Sequence, residues 1–191
     1  KFGDTAPPTK PSNLYMKNIG QGSVKIDFTG SENASSFIVL RGYLNVFGGL
    51  DTVGVFLDRP IIIDDLVEGD TYFLSVVAQN SLGSSEPTEM LGVIPSNNDV
   101  KTLVVNGFDR VNGTNNTFDF IRQHGSALHA HNFSFDAASN EAVINQQINL
   151  LDYQFVDWIL GEEGTSTSVF SYIVLVPLHL RERISFPSTS F

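Results

Sequence analysis

The apolar residues of this 191-residue chain follow two different patterns, one before and one after a polar segment near residue 97. Before it, apolar and polar residues alternate in short stretches such as 24–28, and glycine-containing turns separate these stretches. After it, apolar residues run continuously, as in 100–106. Alternation is typical of strands with one buried face, and a continuous run is typical of a strand buried on both faces of a parallel sheet. We therefore predict two domains, an all-β sandwich over 1–97 and a small α/β domain over 98–191.

Composition excludes several classes of function. The chain is 41% hydrophobic, which is enough for a packed core and argues against disorder. Its formal charge of -10 makes nucleic acid an improbable partner, because phosphate-backbone binding relies on basic surfaces. The absence of cysteine excludes disulfides, thiolate metal sites and a cysteine nucleophile. No apolar run approaches the roughly 20 residues that span a bilayer, so we expect no membrane insertion. No cofactor is predicted.

Three motifs in the first segment occur in an order known from one family. A proline-rich entry covers residues 6–14, residues 66–72 match L-x-P-G-T-x-Y with Glu68 in place of the proline and Asp70 in place of the threonine, and residues 76–85 match V-x-A-x-N-x-x-G-x-S. Residues 6–95 thereby resemble a fibronectin type III domain. The resemblance implies a β-sandwich in which Tyr72 is the corner tyrosine, its hydroxyl bonded to nearby backbone.

The second segment resembles a bacterial cell-envelope family on three stretches, residues 103–110, 135–143 and 152–163. Members of this family, described as xanthan-lyase-like or golvesin-like, carry a fibronectin type III domain followed by an α/β domain. That α/β domain is similar to the flavodoxin-like and glutamine amidotransferase-like superfamily. The resemblance implies an extracytoplasmic location in the periplasm, at the cell surface or in secreted form. Active amidotransferase-like members use a cysteine nucleophile, so that activity is not expected of this chain.

The α/β domain is predicted to be incomplete. Its pattern indicates a strand, a helix over 117–129, a second helix capped by Asp136 or Ser139, and a strand over 154–160. From about residue 172 the tail departs from the family pattern, and we interpret it as a truncated or frame-shifted end. Residues 172–176 are candidates for a replacement strand. A two-strand parallel remnant covers its own faces poorly, which also favours a homo-oligomer formed through this domain.

Polar residues follow the predicted parallel strands and begin the second helix. In open α/β sheets, ligands bind beyond the carboxyl ends of the strands. The functional interpretation is a polar pocket, with carboxylates for a cation or for sugar hydroxyls and a guanidinium for an anion. The alternative is a loop ion pair, a helix cap and two solvated carboxylates. The candidate residues for ligand binding or acid/base chemistry are Asp109, Arg110, Asn140, Glu141, Glu162 and Glu163.

Three further groups are weaker candidates. The spacing of the first three histidines does not place them on one helical face, so they predict no metal site. The acidic turn over 64–70 lacks the spacing of a calcium loop, and we interpret its carboxylates as exposed to solvent. The aromatic residues Tyr43, Phe47 and Phe56 form either a strip that stacks on sugars or part of the sandwich packing.

Two functions remain open from the sequence. The first is a non-catalytic extracytoplasmic interaction or spacer module that binds a protein or a polysaccharide of the cell envelope. The second is a fragment of a polysaccharide- or peptidoglycan-active enzyme. Asp109, Glu141, Glu162 or Glu163 would then supply the acid and the base.

Overall fold

The structure, a computed structural model, describes residues 6–43, 46–107 and 120–160, with the backbone alone described at 46–48. The part before residue 97 contains only strands. These are β1 (Ser12–Gly20), β2 (Ser23–Thr29), β3 (Ser36–Tyr43), β4 (Val46–Phe56), β5 (Ile61–Ile63), β6 (Tyr72–Asn80), β7 (Gly83–Ser84) and β8 (Leu91–Val93).

The part after residue 97 mixes strands and helices. It contains β9 (Thr102–Asn106), α1 (Phe120–Ala130), β10 (Phe135–Ser139), α2 (Asn140–Ile144), a 3₁₀ turn (Leu150–Asp152) and β11 (Phe155–Ile159). The buried strands predicted at 100–106 and 154–160 are thus present as β9 and β11. The predicted helix over 117–129 overlaps α1.

Two sheets face each other in a sandwich, as predicted. One has six strands in the order β11-β9-β10-β1-β2-β5, and the other has the order β4-β3-β6-β7, with β8 also paired to β6. Apolar side chains from both sheets fill the space between them, including Met16, Ile26, Val39 and Leu74. The alternation in β2 buries Val24, Ile26 and Phe28 in this core, as one-sided burial requires.

Strand β6 is buried on both faces, although its alternation predicts one exposed face. Phe73, on the face opposite Leu74, is 2% exposed. A Cβ added at Gly125 of α1 would lie 3.3 Å from the Phe73 ring, so the helix covers that face. The second segment therefore buries a surface that the first segment alone would leave open to water.

The prediction of two parallel strands is wrong, because β10 makes a third. The sequence predicts only a helix cap here, at Asp136 or Ser139, yet residues 135–139 pair in parallel with β9, and β9 pairs in parallel with β11. Two alanines and an aspartate give this five-residue strand a low β-propensity, which hides it in the sequence. Its other edge pairs antiparallel with β1, with Tyr15 opposite Ala138 and Met16 opposite Ala137.

We call this β1–β10 pairing the seam. Through it the six-stranded sheet continues across the domain boundary predicted at residue 97, and one apolar core contains Met16, Val104, Ile121 and Ala137 from both sides. Around β9, helix α1 packs on β8 and β9, while α2 packs on β1, β9 and β10. The described residues show three parallel strands and two helices. The flavodoxin-like assignment of this segment stays a prediction.

Candidate functional site

The carboxyl ends of the three parallel strands lie at one edge of the sheet, as the sequence predicts. Ser139, Asn106 and Ile159 occupy equivalent positions at the ends of β10, β9 and β11. The backbone N–H of Gly107 donates to the carbonyl of Ile159 at 2.8 Å and closes the gap between β9 and β11.

Two of the six candidate residues are described at this edge. Asn140 and Glu141 form the first turn of α2, and both are half-buried. The helix cap that the alternative interpretation gave to them belongs to Ser139, whose hydroxyl accepts from the Ala142 N–H at 3.2 Å. Asp109, Arg110, Glu162 and Glu163 lie outside the described residues, as does the tail from residue 172. Their convergence on this edge stays a prediction.

Glu141 lines a cavity of about 640 Å³ between α2 and the sandwich. We call it the carboxyl-end cleft, because it lies where β10 ends and where antiparallel β1 begins. Its charged lining consists of three carboxylates and one ammonium, which belong to Glu86, Glu89, Glu141 and Lys10. The hydroxyl-bearing residues Ser12, Ser75 and Thr88 line it as well.

Hydrogen bonds hold the wall formed by residues 86–90 in place. The Thr88 hydroxyl accepts from the Val76 N–H at 2.9 Å, which anchors the wall on β6. Glu89 accepts from the Asn106 side chain at 2.7 Å, which ties the wall to the end of β9. Both the sandwich and the parallel strands therefore hold this wall of the cleft in place. The cleft lies beside the seam.

Ser75, one of the residues that line the cleft, has an unusual buried hydroxyl. The residue is 2% exposed, and its hydroxyl has no hydrogen-bond partner within the part of the chain that the structure describes. Buried polar side-chain atoms in proteins nearly always have a partner, in the protein or in bound water. The hydroxyl therefore leaves hydrogen-bonding capacity free at a residue that lines the cavity. The sequence gives no sign of this role.

At the other end of the seam, a cavity of about 500 Å³ contains a buried carboxylate. We call it the amino-end cleft. Asp136 is 1% exposed. Its Oδ1 accepts from the backbone and side-chain N–H groups of Asn18 at 2.8 and 2.9 Å, and its Oδ2 accepts from the Tyr153 hydroxyl at 2.8 Å. The Asn18 side chain also donates to the Ile94 carbonyl and accepts from the Ser96 N–H.

Burial dominates the titration of this cluster. It raises the pKa of Asp136 above the ordinary value, although the hydrogen bonds from Asn18 and Tyr153 act to lower it. Burial and the neighbouring Asp136 raise the pKa of Tyr153 as well. At the rim, Lys17 and Asp152 form an exposed ion pair of 3.5 Å. These hydrogen bonds hold β1 and β10 together. They account for the presence of an aspartate, Asp136, within strand β10.

One histidine has a specific partner. The Nδ1 atom of His124 in α1 lies 2.6 Å from an Asp157 carboxylate oxygen in β11. This hydrogen bond raises the pKa of His124, against the opposing effect of burial. His129 and His131 are exposed. Among the described residues, no three His, Asp or Glu side chains are arranged to hold a metal ion.

The remaining candidates have structural partners. In the acidic turn, Asp64 accepts from the Ser23 hydroxyl at 2.6 Å, and Glu68 accepts from the Asn97 side chain at 2.6 Å. In the aromatic group, Phe56 packs against the sandwich core, which supports packing rather than a sugar-binding strip for that residue. The Tyr43 hydroxyl donates to Asp51 at 2.8 Å, and the side chain of Phe47 lies outside the described residues.

Within the described ranges, no helix is long and apolar enough to span a membrane.

Comparison with known proteins gives only partial likenesses. No protein-family model and no curated protein matches the chain. Among solved structures, FN3tt mut is 12% identical with a TM-score of 0.40, over 46% of this chain and 94% of the other. The human fibronectin type III domain containing protein 3 supplies a domain that is 19% identical with a TM-score of 0.40, over 50% of this chain and 94% of that domain.

Titin kinase with its flanking domains is 16% identical with a TM-score of 0.43, over 53% of this chain, which spans only 23% of that structure. The structural neighbours are thus fibronectin type III domains over about half of the chain. The assignment of a sandwich to this chain rests on the pairing of its own strands, not on these neighbours.

Proposed function

We propose that the chain is a non-catalytic extracytoplasmic interaction or spacer module of a cell-envelope protein, which binds a protein or a polysaccharide. The observation that carries the proposal is the seam. A spacer must hold its two neighbours at a fixed angle, and here one continuous sheet replaces a linker between the two segments. The extracytoplasmic location is supported by the resemblance of the second segment to envelope proteins.

Three features make the seam stiff. The pairing of β1 with β10 is backed by a core that both segments share. Asn18 of β1 bonds to Asp136 in β10 and to Ile94 and Ser96 in the segment after β8, and so holds β1 against two other parts of the chain. Buried networks whose members are all partnered give a single well-defined arrangement. The module would therefore present its two clefts in a constant orientation.

Distance measurements between spin labels test the spacer role. Because the chain has no cysteine, Leu82→Cys with Gln147→Cys places one label on each side of the seam, at exposed positions. We expect one narrow distance distribution, as narrow as that of the control pair Val55→Cys with Leu82→Cys inside the sandwich. A broad or two-peaked distribution across the seam would contradict a rigid spacer.

The enzyme alternative is favoured by one observation, the gathering of Glu86, Glu89 and Glu141 on one cleft. Incubation with purified peptidoglycan sacculi separates the two functions. A binding module is expected to sediment with the sacculi or to leave them intact without releasing soluble sugar. Sugar release that Glu141→Gln abolishes would establish the enzyme and overturn the proposal.

A homo-oligomer through the second segment remains part of the proposal. Strand β11 is the outermost strand of the six-stranded sheet among the described residues, and an open edge is a template for pairing with another chain. Light scattering coupled to size-exclusion chromatography, at several concentrations of the 20.9 kDa chain, tests it. A mass of about twice that value supports the pairing, and a constant monomer mass removes it.

A further inference from the structure

We propose that the outer edge of β4 pairs antiparallel with the same edge of a second copy of this chain, so that the two copies share one continuous sheet. This inference goes beyond the function proposed above, because it uses the first segment, whereas the homo-oligomer considered there uses β11. Three observations carry it: an open strand edge, an apolar row that ends at that edge, and residues that complement each other across a two-fold axis.

Strand β4 is the outermost strand of the β4-β3-β6-β7 sheet among the described residues. It is 11 residues long, whereas β5, at the end of the other sheet, has 3. Proteins usually protect a long edge with lysine, proline or other charged residues. The sequence of β4 contains no lysine, arginine or proline, and its one charged residue is Asp51. The backbone N–H and C=O groups that face away from β3 are therefore open to another strand.

An apolar row crosses the outer face of this sheet and stops at β4. Val77 of β6 lies opposite Ile38 of β3, and Ile38 lies opposite Val55 of β4. Phe37 and Val39, the neighbours of Ile38 in the chain, belong to the core, so the row lies on the other face. Val77 is 8% exposed, Ile38 is half-buried and Val55 is 59% exposed. A second β4 strand would continue the row and cover Val55 from its open side.

The surface around Val55 is apolar as well. Leu50 and Val53 of β4 are each 41% exposed, and Leu57, immediately after the strand, is 74% exposed. With Val55 they place four large apolar side chains of residues 50–57 in contact with solvent. Exposed apolar groups that lie together mark surfaces that associate. The open backbone and these side chains therefore indicate the same contact.

The order of these residues favours a second copy of the chain as the partner. Two identical antiparallel strands are related by a two-fold axis, so each residue meets the residue equally far on the other side of the axis. With the axis at Val55, Val53 of each copy lies opposite Leu57 of the other. The pairing of β4 with β3 is regular from Gly54 to Phe56, on both sides of this axis. Apolar residues thus meet apolar residues without any change in the sequence.

The charged residues at the two ends of this stretch are complementary in the same arrangement. Asp51 of each copy lies opposite Arg59 of the other, and Asp58 lies opposite the uncharged Thr52. The Arg59 side chain is 48% exposed, and among the described residues it bonds through Nη1 alone. Its other terminal nitrogen is therefore available to donate to Asp51 of the second copy. Opposite charges across a strand pair stabilise the pairing, whereas like charges oppose it.

Sedimentation equilibrium of the full chain measures the dimer over a wide range of concentration. Val55→Lys places two like charges at the axis of the proposed pair, and we expect it to raise the dissociation constant at least about tenfold. Leu82→Lys, at an exposed turn across the sheet from β4, and Phe155→Lys, at an exposed position of β11, are the matched controls and should leave it unchanged. Because both copies are acidic, added salt should strengthen the dimer.

A disulfide test reports the pairing directly and does not depend on the folding of the lysine variant. The chain has no cysteine, so a single introduced cysteine can pair only with the same residue of a second copy. Residues directly opposite in an antiparallel pair have Cβ atoms about 5 Å apart, close to the distance in a disulfide. We expect Val55→Cys to form a covalent dimer on mild oxidation much faster than Leu82→Cys or Phe155→Cys.

Each result decides the inference. A chain that stays monomeric at every concentration, or a dimer that a folded Val55→Lys variant leaves unchanged, would overturn it. Faster crosslinking of Phe155→Cys than of Val55→Cys would assign the dimer to β11 instead. The spin-label test of the seam is independent of these results, because excess unlabelled chain keeps every measured distance within one copy. A rigid seam in a monomeric chain would therefore leave the spacer in place and remove only the β4 pairing.

Discussion

At the scale of single residues, Asp136 most clearly shows how the two segments are joined. Its carboxylate is buried in a strand of the second segment and accepts hydrogen bonds from Asn18 of the first. The hydroxyl of Tyr153, which precedes β11, donates to its other oxygen. Removing one partner of a buried hydrogen-bonded group lowers the free energy of unfolding, because the remaining group has lost its hydrogen bond and cannot replace it with one to water.

The raised pKa of Asp136 predicts an unusual dependence of stability on pH. Above about pH 4, the ordinary value, the unfolded chain loses this proton while the folded chain retains it, so folding becomes less favourable as pH rises through the folded pKa. The free energy of unfolding, measured by urea titration from pH 3.5 to 7.5, should therefore fall in the wild type relative to Asp136→Asn. Asp58→Asn, at an exposed site, is the control. Parallel curves for the wild type and Asp136→Asn would contradict the shift.

The Tyr72 hydroxyl accepts from the Val67 N–H at 2.9 Å, as the corner-tyrosine motif predicts. Tyr72→Phe keeps the ring over which Arg41 is stacked and removes only this bond. We expect the free energy of unfolding to fall by about 1 kcal/mol. Tyr43→Phe, which removes an exposed bond to Asp51, is the matched control and should change little. Equal effects from the two variants would mean that the corner bond contributes nothing specific.

The residues of the site differ in how far the sequence reveals them. Tyr72 lies in a local motif, and Glu141 lies at the predicted start of a helix, so both can be found from their neighbours in the chain. The role of Asp136 depends on Asn18, more than 50 residues away in the chain, and Ser75 lines the same cleft as Glu141, which is also more than 50 residues away. No local pattern contains that information.

At the scale of elements, the same contrast separates the strands. Strands β2, β9 and β11 are readable because alternation or continuous apolar runs mark them. Strand β10 is hidden, because it is short, rich in alanine and stabilised by two neighbouring strands rather than by its own propensity. Since β10 forms the seam, the hidden strand is also the one that connects the segments.

Helix α1 and strand β11 are joined by the pair of His124 with Asp157. Asp157→Asn replaces the carboxylate that raises the histidine pKa with a neutral amide, so we expect the NMR-measured pKa of His124 to fall. His129→Gln, at an exposed position on the same helix, should leave that value unchanged.

The stability that this pair contributes is fully present below about pH 6.5 and is lost as pH rises through the raised value. The wild type should therefore exceed Asp157→Asn in unfolding free energy most strongly in mild acid. A difference that stays constant from pH 5 to 8 would show that the titration is not coupled to folding.

At the scale of the whole molecule, the shared core predicts one cooperative unfolding transition. Met16 and Leu74 of the sandwich belong to the same apolar cluster as Val104 and Ala137 of the second segment. Scanning calorimetry of the full chain should give a single peak whose calorimetric and van't Hoff enthalpies agree. Met16→Ala, at the seam, should move that whole peak to lower temperature. Two peaks, of which only one responds to Met16→Ala, would mean that the segments unfold separately.

The overall architecture was predictable only in its parts. The change of periodicity near residue 97 separates a sandwich pattern from an α/β pattern, and the structure contains a sandwich and a set of parallel strands in those places. How they join depends on edge-to-edge pairing of β1 and β10, in which backbone N–H and C=O groups pair between the two strands. Backbone pairing leaves little trace in residue types.

The pairing of β1 with β10 also governs the fate of the chain after proteolysis. In the intact molecule β1, nine residues long, has a strand on each side, and the outermost strand beyond β2 is the three-residue β5. Cleavage that removes the second segment would uncover the edge of β1 that pairs with β10 and so create a new sheet margin. Long uncovered margins are where chains associate into fibrils. The second segment therefore protects this edge of the sandwich from pairing with other chains. We expect fragments that have lost it by proteolysis to aggregate, and the intact chain to remain dispersed.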